Sequence, residues 1–564
     1  MSATTLRRWA LLLLLGTGSL AAAEHPPADA IASAHGLATE AGREIFARGG
    51  NAFDAAVAVS AALSVVEPES SGLGGGGFVL LHRASDGKDV FIDAREAAPA
   101  AATRDMYLDA KGEPDRKRSV TGPLSAAIPG LPAALVHLAQ NYGRLPLKDS
   151  LAPAIRLAEK GFVVSDKTAF MLGFRKDALS PAAAKLYLPK GQPVQAGDRV
   201  RNPDIARVLR ALARDGHAGF YKGKVAATLV EQVRRDGGIW SLEDLASYQV
   251  IERDPIRFRY GQYEIVTAPP PSSGGVALSA MFHMLAGYDW AALTPVQRQH
   301  LKIEVMRRAY RDRAIYLGDP DFVKIPLEML QSPYYAAGLR ASIRLDRRTP
   351  SEALPGISAD ENGVDTTHFS VIDREGNRVG LTQSVNLPFG SAYMAPGTGL
   401  MLNDHMDDFS VKPGVPNAYG LVGEDANAIA GGKRPLSSMT PTFLVGPERV
   451  AVLGTPGGSR IITMVFGALL ALVDGASAEA AVAAPRLHHQ YLPDTVSLEP
   501  GALDAALKAG LEALGHPLSQ NERPWGNMQM VLWDRVHNRV EAASDPRWKP
   551  GKAFVGDAGG IQYR

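Results

Sequence analysis

The stretch Asp365-Thr366-Thr367-His368-Phe369-Ser370 decides how this chain is read. It lies about two thirds of the way along 564 residues, and its alternation predicts a strand headed by a hydroxyl residue. Two meanings are open. A Thr-Thr pair before alternating residues is ordinarily a plain β-former. If the Asp365-Thr366 bond is cut, however, Thr366 gains a free α-amine beside its own hydroxyl. An α-amine titrates near pH ~7.7 to 8.0 and can take the Oγ proton at neutral pH. Nucleophile and base would then belong to one residue.

The neighbouring sequence favours the second meaning. Residues 346–364 are polar and rich in Ser, Pro, Gly and acid, as an exposed, cleavable linker would be. Residues 367–373 and 378–385 read as two strands joined by Arg374-Glu375-Gly376-Asn377. Antiparallel pairing about that turn returns Ser384 and Asn386 to the side of Thr366, because their distances from the turn are nearly equal. Further on, Gly454-Thr455-Pro456-Gly457-Gly458-Ser459 precedes an apolar helical run over 461–473. Backbone N–H groups at such a helix start suit a developing oxyanion. Taken alone, Gly457-Gly458 reads rather as an ordinary turn.

Toward the N-terminus, helical periodicity over 38–48 stops at Gly49-Gly50 and restarts after Asn51, a natural N-cap, in a helix apolar on nearly all sides. Gly74-Gly75-Gly76-Gly77 leads into strands over 78–82 and 90–93, a hairpin with Arg95 just past its end. A phosphate loop would need a Lys-Ser/Thr and a following helix, so the glycines predict close backbone approach. Residues 129–345 alternate helices with short loops, without repeat or composition shift.

Composition narrows the classes. Apolar residues make up 46% of the chain, enough for a large core. Arg7-Arg8, the run Trp9 to Leu15 and Ala21-Ala22-Ala23 have the layout of a cleavable export signal, with Ala23 as its last residue. The apolar run is too short to span a bilayer. Removing the two leader arginines leaves basic and acidic residues in near balance, so charge gives no reason to expect nucleic acid or anionic lipid as partner. The chain has no Cys, which excludes a thiol nucleophile and a thiolate metal site. No His/Asp/Glu cluster at metal spacing stands out. His488-His489 reads as a packing or hydrogen-bonding pair.

Taken in order, the motifs bring a family into view. Gly49-Gly50-Asn51-Ala52-Phe53-Asp54-Ala55-Ala56, Ser70 to Phe78, Pro270-Pro271-Ser272-Ser273-Gly274-Gly275, Tyr316-Leu317-Gly318-Asp319-Pro320, Thr366-Thr367-His368, Met406-Asp407-Asp408-Phe409, Arg434 to Met439, Pro456-Gly457-Gly458-Ser459-Arg460 and Ser544-Asp545-Pro546-Arg547 together resemble the γ-glutamyltranspeptidases. These are glutathione-processing enzymes of the N-terminal nucleophile superfamily. The resemblance implies an α+β fold, an αββα four-layer sandwich, built from two subunits cut from one precursor. With a signal at 1–23, the large subunit would span 24–365 and the small one 366–564.

The same resemblance implies the roles. Thr366 is the nucleophile acylated by the γ-glutamyl group, with Ser384 where the family usually has a Thr partner. Gly457 and Gly458 supply the oxyanion hole. Arg95, Ser437 and Ser438 hold the glutamyl α-carboxylate, and Asn386 and Asp408 its α-ammonium. His405 departs from the family's Gln or Glu near that ammonium. Residues 411–434 form an aperiodic run expected to be a lid, with Tyr419 as its gate. No cofactor is implied. The partners expected are glutathione and other γ-glutamyl donors, with water, amino acids or dipeptides as acceptors, in a periplasmic or secreted enzyme. Two rivals stand beside this reading: a glutaryl-type cephalosporin acylase of the same fold, and an unprocessed, non-catalytic binding relative.

Overall fold

In a computed structural model, residues 23–354, 366–556 and 562–563 are described. Residues 1–22 of the expected signal segment, the distal linker and Asp365 lie outside the described residues. Two antiparallel sheets form the centre. The first runs, neighbour to neighbour, through Gln562–Tyr563, Lys552–Val555, Ala30–Ser33, Thr367–Ile372, Arg378–Ser384, Gly76–Arg83, Lys88–Ala94 and Ile251–Arg253. The second runs through Arg539–Ser544, Gln529–Asp534, Arg449–Gly454, Thr442–Val445, Tyr263–Thr267 and Ile256–Tyr260. The sheets touch face to face, helices Gly36–Ala47 and Ala52–Val66 cover the first, and Gly274–Leu285 and Ile461–Val473 cover the second. This is the expected αββα sandwich.

Strands buried on both faces explain the pattern of the hairpin. Phe369, Val371, Val379 and Leu381 point into the core beneath helix Ala52–Val66. Their alternates His368, Ser370 and Thr382 face the second sheet, where His368 bonds Thr382 Oγ1 at 2.8 Å and Ser370 Oγ at 3.1 Å. Burial holds the His368 ring down to about 3, so it stays neutral and structural. Helix Ala52–Val66 is buried at every position, and Asn51 caps it by accepting from Phe53 and Asp54 N–H at 3.0 Å.

The two expected subunits do not form separate units. Ala30–Ser33 lies between Lys552–Val555 and Thr367–Ile372, and Tyr263–Thr267 pairs with Thr442–Val445. A cut before Thr366 would leave two fragments interlocked through both sheets. Among the described residues no helix is long and apolar enough to cross a membrane.

The linker expectation needs a correction at its start. Ser351 is fully buried, its N–H donates to Asp494 Oδ2 at 2.8 Å and its hydroxyl to the Tyr491 carbonyl at 2.6 Å. Ser351 and Arg348 thus anchor the segment to part-buried Asp494 and the Tyr491 carbonyl, while Asp346, Arg347 and Glu352 stay exposed.

Candidate active site

Thr366 stands one residue before strand Thr367–Ile372, and Ser384 ends strand Arg378–Ser384. Gln383 pairs with Thr367, so the register carries Ser384 to the level of Thr366, with their hydroxyl oxygens 3.2 Å apart. Both residues are buried. Thr367 is pinned in turn, its hydroxyl donating to Glu67 Oε2 at 2.7 Å while Lys167 Nζ donates to Glu67 Oε1 at 2.8 Å. Nothing in the sequence pattern marked Glu67 or Lys167, because the contact joins positions 300 apart.

The glycine run makes room for this end of the hairpin. A Cβ on Gly75 would fall on the Ser384 carbonyl oxygen, and one on Gly76 would strike the Ala94 carbonyl and the Glu96 carboxylate. The predicted close approach is what the four glycines provide.

Thr366 shares one cavity with Ser384, Asn386, His405, Asp408, Tyr419, Ser437, Ser438 and Gly458. Asn386 sits at φ 84°, its N–H bonded to Ser384 Oγ at 2.8 Å and its side-chain amide to the Asp404 carbonyl at 3.1 Å. Ser437 is tied to the Pro270-Pro271-Ser272-Ser273 segment: its N–H donates to the Pro271 carbonyl at 2.8 Å, and its own carbonyl accepts from Ser273 N–H at 2.8 Å. Ser438 Oγ is buried and has no hydrogen-bond partner among the described residues. An unmade bond of that kind costs about 1–3 kcal/mol unless a ligand completes it.

Two of the expected residues stand behind the cavity wall. Arg95 is fully buried, donating to the Pro435 carbonyl at 3.0 Å and to Asp408 Oδ2. It therefore reaches the cavity through Asp408 in this state. Gly457, at φ 139°, lies one residue outside, whereas Gly458, at φ 55°, is on the wall. A Cβ at Gly458 would overlap the Tyr419 ring, so glycine is required there both by backbone conformation and by space. Tyr419 comes from the 411–434 segment and donates to the Asn386 carbonyl at 2.8 Å. Of this segment, Tyr419 and Leu421 line the cavity.

Arg313 escaped the sequence reading. It lies in the last turn of helix Pro295–Tyr316 and lines the cavity. Its Nε donates to Ser273 Oγ at 3.1 Å, and burial lowers its pKa to about 10 while Tyr310 and Asp408 act in the opposite direction. Only the helix register could have pointed to it.

The His488-His489 pair is structural, as expected: His488 bonds Thr463 Oγ1 at 2.9 Å and Gln490 Oε1 at 2.8 Å, and burial holds the two rings down to about 3 and about 4. The sequence reading did miss one metal-type group. His300 and Glu304, one helical turn apart, meet His516. Of their ring nitrogens and carboxylate oxygens, only His516 Nδ1 has no hydrogen-bond partner among the described residues. His300 bonds His516 at 2.8 Å, and Glu304 accepts from Arg308 at 2.6 Å and Thr349 N–H at 3.0 Å.

Comparison with known proteins agrees with this architecture. The chain matches the gamma-glutamyltranspeptidase family over residues 38–555. It is 42% identical over 542 residues to the glutathione hydrolase proenzyme of Pseudomonas sp. (strain A14), covering 93% of each chain. It is 40% identical over 571 residues to the glutathione hydrolase proenzyme of Escherichia coli (strain K12), covering 96% of this chain and 98% of the relative. Cephalosporin acylase from Bacillus halodurans superposes with a TM-score of 0.81 at 28% identity, covering 98% of both chains. Its motifs, its sandwich and these matches along nearly its whole length agree, and the chain belongs to the γ-glutamyltranspeptidase family.

Proposed function

We propose that this chain is an exported proenzyme that cuts itself at Asp365-Thr366 and then hydrolyses or transfers the γ-glutamyl group of glutathione and related compounds. The observation that carries the reading is the 3.2 Å pair of Thr366 and Ser384 hydroxyls, set in one cavity with Asp408 and Ser438. Cutting frees the Thr366 α-amine as base. Thr366 Oγ adds to the γ-carbonyl carbon, Ser384 holds the hydroxyl in line, and Gly458 on the cavity wall, with Gly457 next to it, is assigned to the oxyanion. Collapse expels the amine with a proton and leaves a γ-glutamyl ester on Thr366. Water, an amino acid or a dipeptide then attacks that ester. The 411–434 segment and Tyr419 limit access of water.

Donor recognition follows from the charges. A zwitterionic α-carbon end can exchange the Arg95–Asp408 ion pair for two of its own, carboxylate to Arg95 with Ser437 and Ser438, ammonium to Asp408 with Asn386 and His405. A glutaryl group has no ammonium and would leave the Asp408 carboxylate without its substrate partner. The two fragments remain together as a heterodimer, since each supplies neighbouring strands to both sheets.

The test compares γ-glutamyl and glutaryl anilides. Wild type should favour the γ-glutamyl donor by about 10²-fold or more in kcat/KM, and Asp408→Ala should remove most of that preference. Equal efficiencies in wild type would replace this reading with the acylase.

A further inference from the structure

The cavity contains a side chain whose chemistry is set from behind. Glu96 follows Arg95 directly beyond strand Lys88–Ala94, and both are fully buried. One Glu96 oxygen, Oε1, lies 2.7 Å from His405 Nδ1, and the other, Oε2, lies 3.3 Å from Arg95 Nη1. His405 is itself buried and lines the cavity with Thr366 and Asp408. Burial alone would push the Glu96 carboxyl up, but attraction to the His405 ring when charged, the hydrogen bond from that ring and the Arg95 guanidinium hold it below the usual range, and the last two persist when the ring is neutral. It is therefore ionised in the folded protein.

An ionised carboxylate only accepts. The hydrogen bond to His405 must then carry its proton on Nδ1, and in the neutral ring the lone pair is left on Nε2. No hydrogen bond to Nε2 is formed among the described residues, and Nε2 is not among their buried unpaired atoms. The remaining ring nitrogen is thus open to the cavity as an acceptor. The opposite tautomer would put an N–H there, which a substrate ammonium could not approach favourably.

We propose that Glu96 is a positioning residue for donor recognition: it fixes His405 with its proton on Nδ1, so that Nε2 accepts a hydrogen bond from the α-ammonium of the donor. The inference rests on the γ-glutamyl reading above. It adds that selection for an α-amino acid is carried jointly by Asp408, through charge, and by the Glu96–His405 pair, through directed hydrogen bonding. Glu96 also contacts Arg95, so loss of Glu96 has two separable consequences. Disturbing Arg95 would weaken any carboxylate ligand, whereas losing the tautomer would weaken only ligands with an ammonium.

The experiment uses the processed enzyme, Glu96→Gln, His405→Gln and the double variant. A glutamine at 405 presents its carbonyl oxygen without a tautomer. Glu96→Gln should raise KM for a γ-glutamyl anilide about tenfold while kcat changes less than about threefold. The inhibition constant of glutarate, which has the carboxylates but no ammonium, should stay within about twofold. In the His405→Gln background the same substitution should change KM less than about twofold. Equal effects on donor and glutarate, or an undiminished effect in the His405→Gln background, would overturn the proposal. Should Glu96→Gln not fold, nitrogen NMR of histidine-labelled wild type, with His405→Gln to assign the signal, reads the tautomer directly. A proton on Nδ1 with Nε2 bare supports the proposal, and a proton on Nε2, alone or together with one on Nδ1, refutes it. A wild type indifferent to the α-amine in the anilide comparison would instead remove the γ-glutamyl reading itself.

Discussion

The hairpin of Thr367–Ile372 and Arg378–Ser384 has two ends built on opposite principles. At the turn, Asp373 Oδ1 accepts from Glu375 and Asn377 N–H at 3.0 Å, and its Oδ2 accepts from Ala52 N–H and Asn377 Nδ2 at 2.9 Å. Asn377 Oδ1 accepts from Ala84 N–H at 2.9 Å. Both Asp373 oxygens are thus paired within the protein, and the bonds lock turn, strand register and the start of helix Ala52–Val66 together. At the other end, Thr366 and Ser384 face a cavity in which Ser438 Oγ has no hydrogen-bond partner among the described residues and, under the proposed function, the Arg95–Asp408 pair is exchanged for the zwitterionic end of the donor. One end specifies the register, and the other, under the proposed function, uses that register to hold reacting groups. Closing hydrogen bonds within the protein produces stability, while leaving them for a ligand produces binding.

The sharpest way to break this comparison is to remove a group from each end. Thr366→Ala should keep the fold and lower hydrolysis of a γ-glutamyl anilide by at least about 10³-fold, measured on purified protein with unchanged circular dichroism. Asp373→Ala should do the reverse. It should lower unfolding free energy by about 3 kcal/mol in urea titration, with kcat per folded molecule retained. If Asp373→Ala lost kcat while keeping stability, the division of labour between the ends would be wrong.

A smaller effect concerns Asp407, beside the open end, which accepts from Ala418 N–H of the lid segment at 2.8 Å and from the Ser119 hydroxyl at 2.7 Å. Burial pushes it up to about 6 against the opposing pull of these donors. Its folded pKa lies above its unfolded value, so the folded state binds the extra proton between those two values. Its stability contribution is complete below pH ~4 and is lost as pH rises through about 6. The unfolding free energy of wild type relative to Asp407→Asn should therefore fall by about 2 kcal/mol between pH ~4 and ~7. A pH-independent difference would show that Asp407 does not titrate in this range.

Local rules made one part of the molecule legible in the sequence. The Asn51 cap, the all-apolar helix after it, the two-strand hairpin and the helix after Gly458 depend on neighbours a few residues apart, and all form where periodicity placed them. Equal spacing from the turn was enough to bring Ser384 to Thr366. Contacts between distant segments were not legible. Glu67 beneath Thr367, Arg313 on the cavity wall, Glu96 behind His405 and Asp494 holding Ser351 each depend on how remote elements meet. The start of the linker misled for the same reason: composition reports polarity, and polarity is equally compatible with solvent and with buried partners.

The central claim is that the open end of the hairpin is generated by cutting one bond and that Thr366 is the residue so exposed. N-terminal sequencing of the smaller fragment from freshly purified wild type, with its intact mass, tests this most directly. A fragment that begins Thr366-Thr367-His368 is expected, together with a Thr366→Ala chain that stays uncut. An active enzyme whose smaller fragment begins at any other residue, or which is never cut, would contradict it.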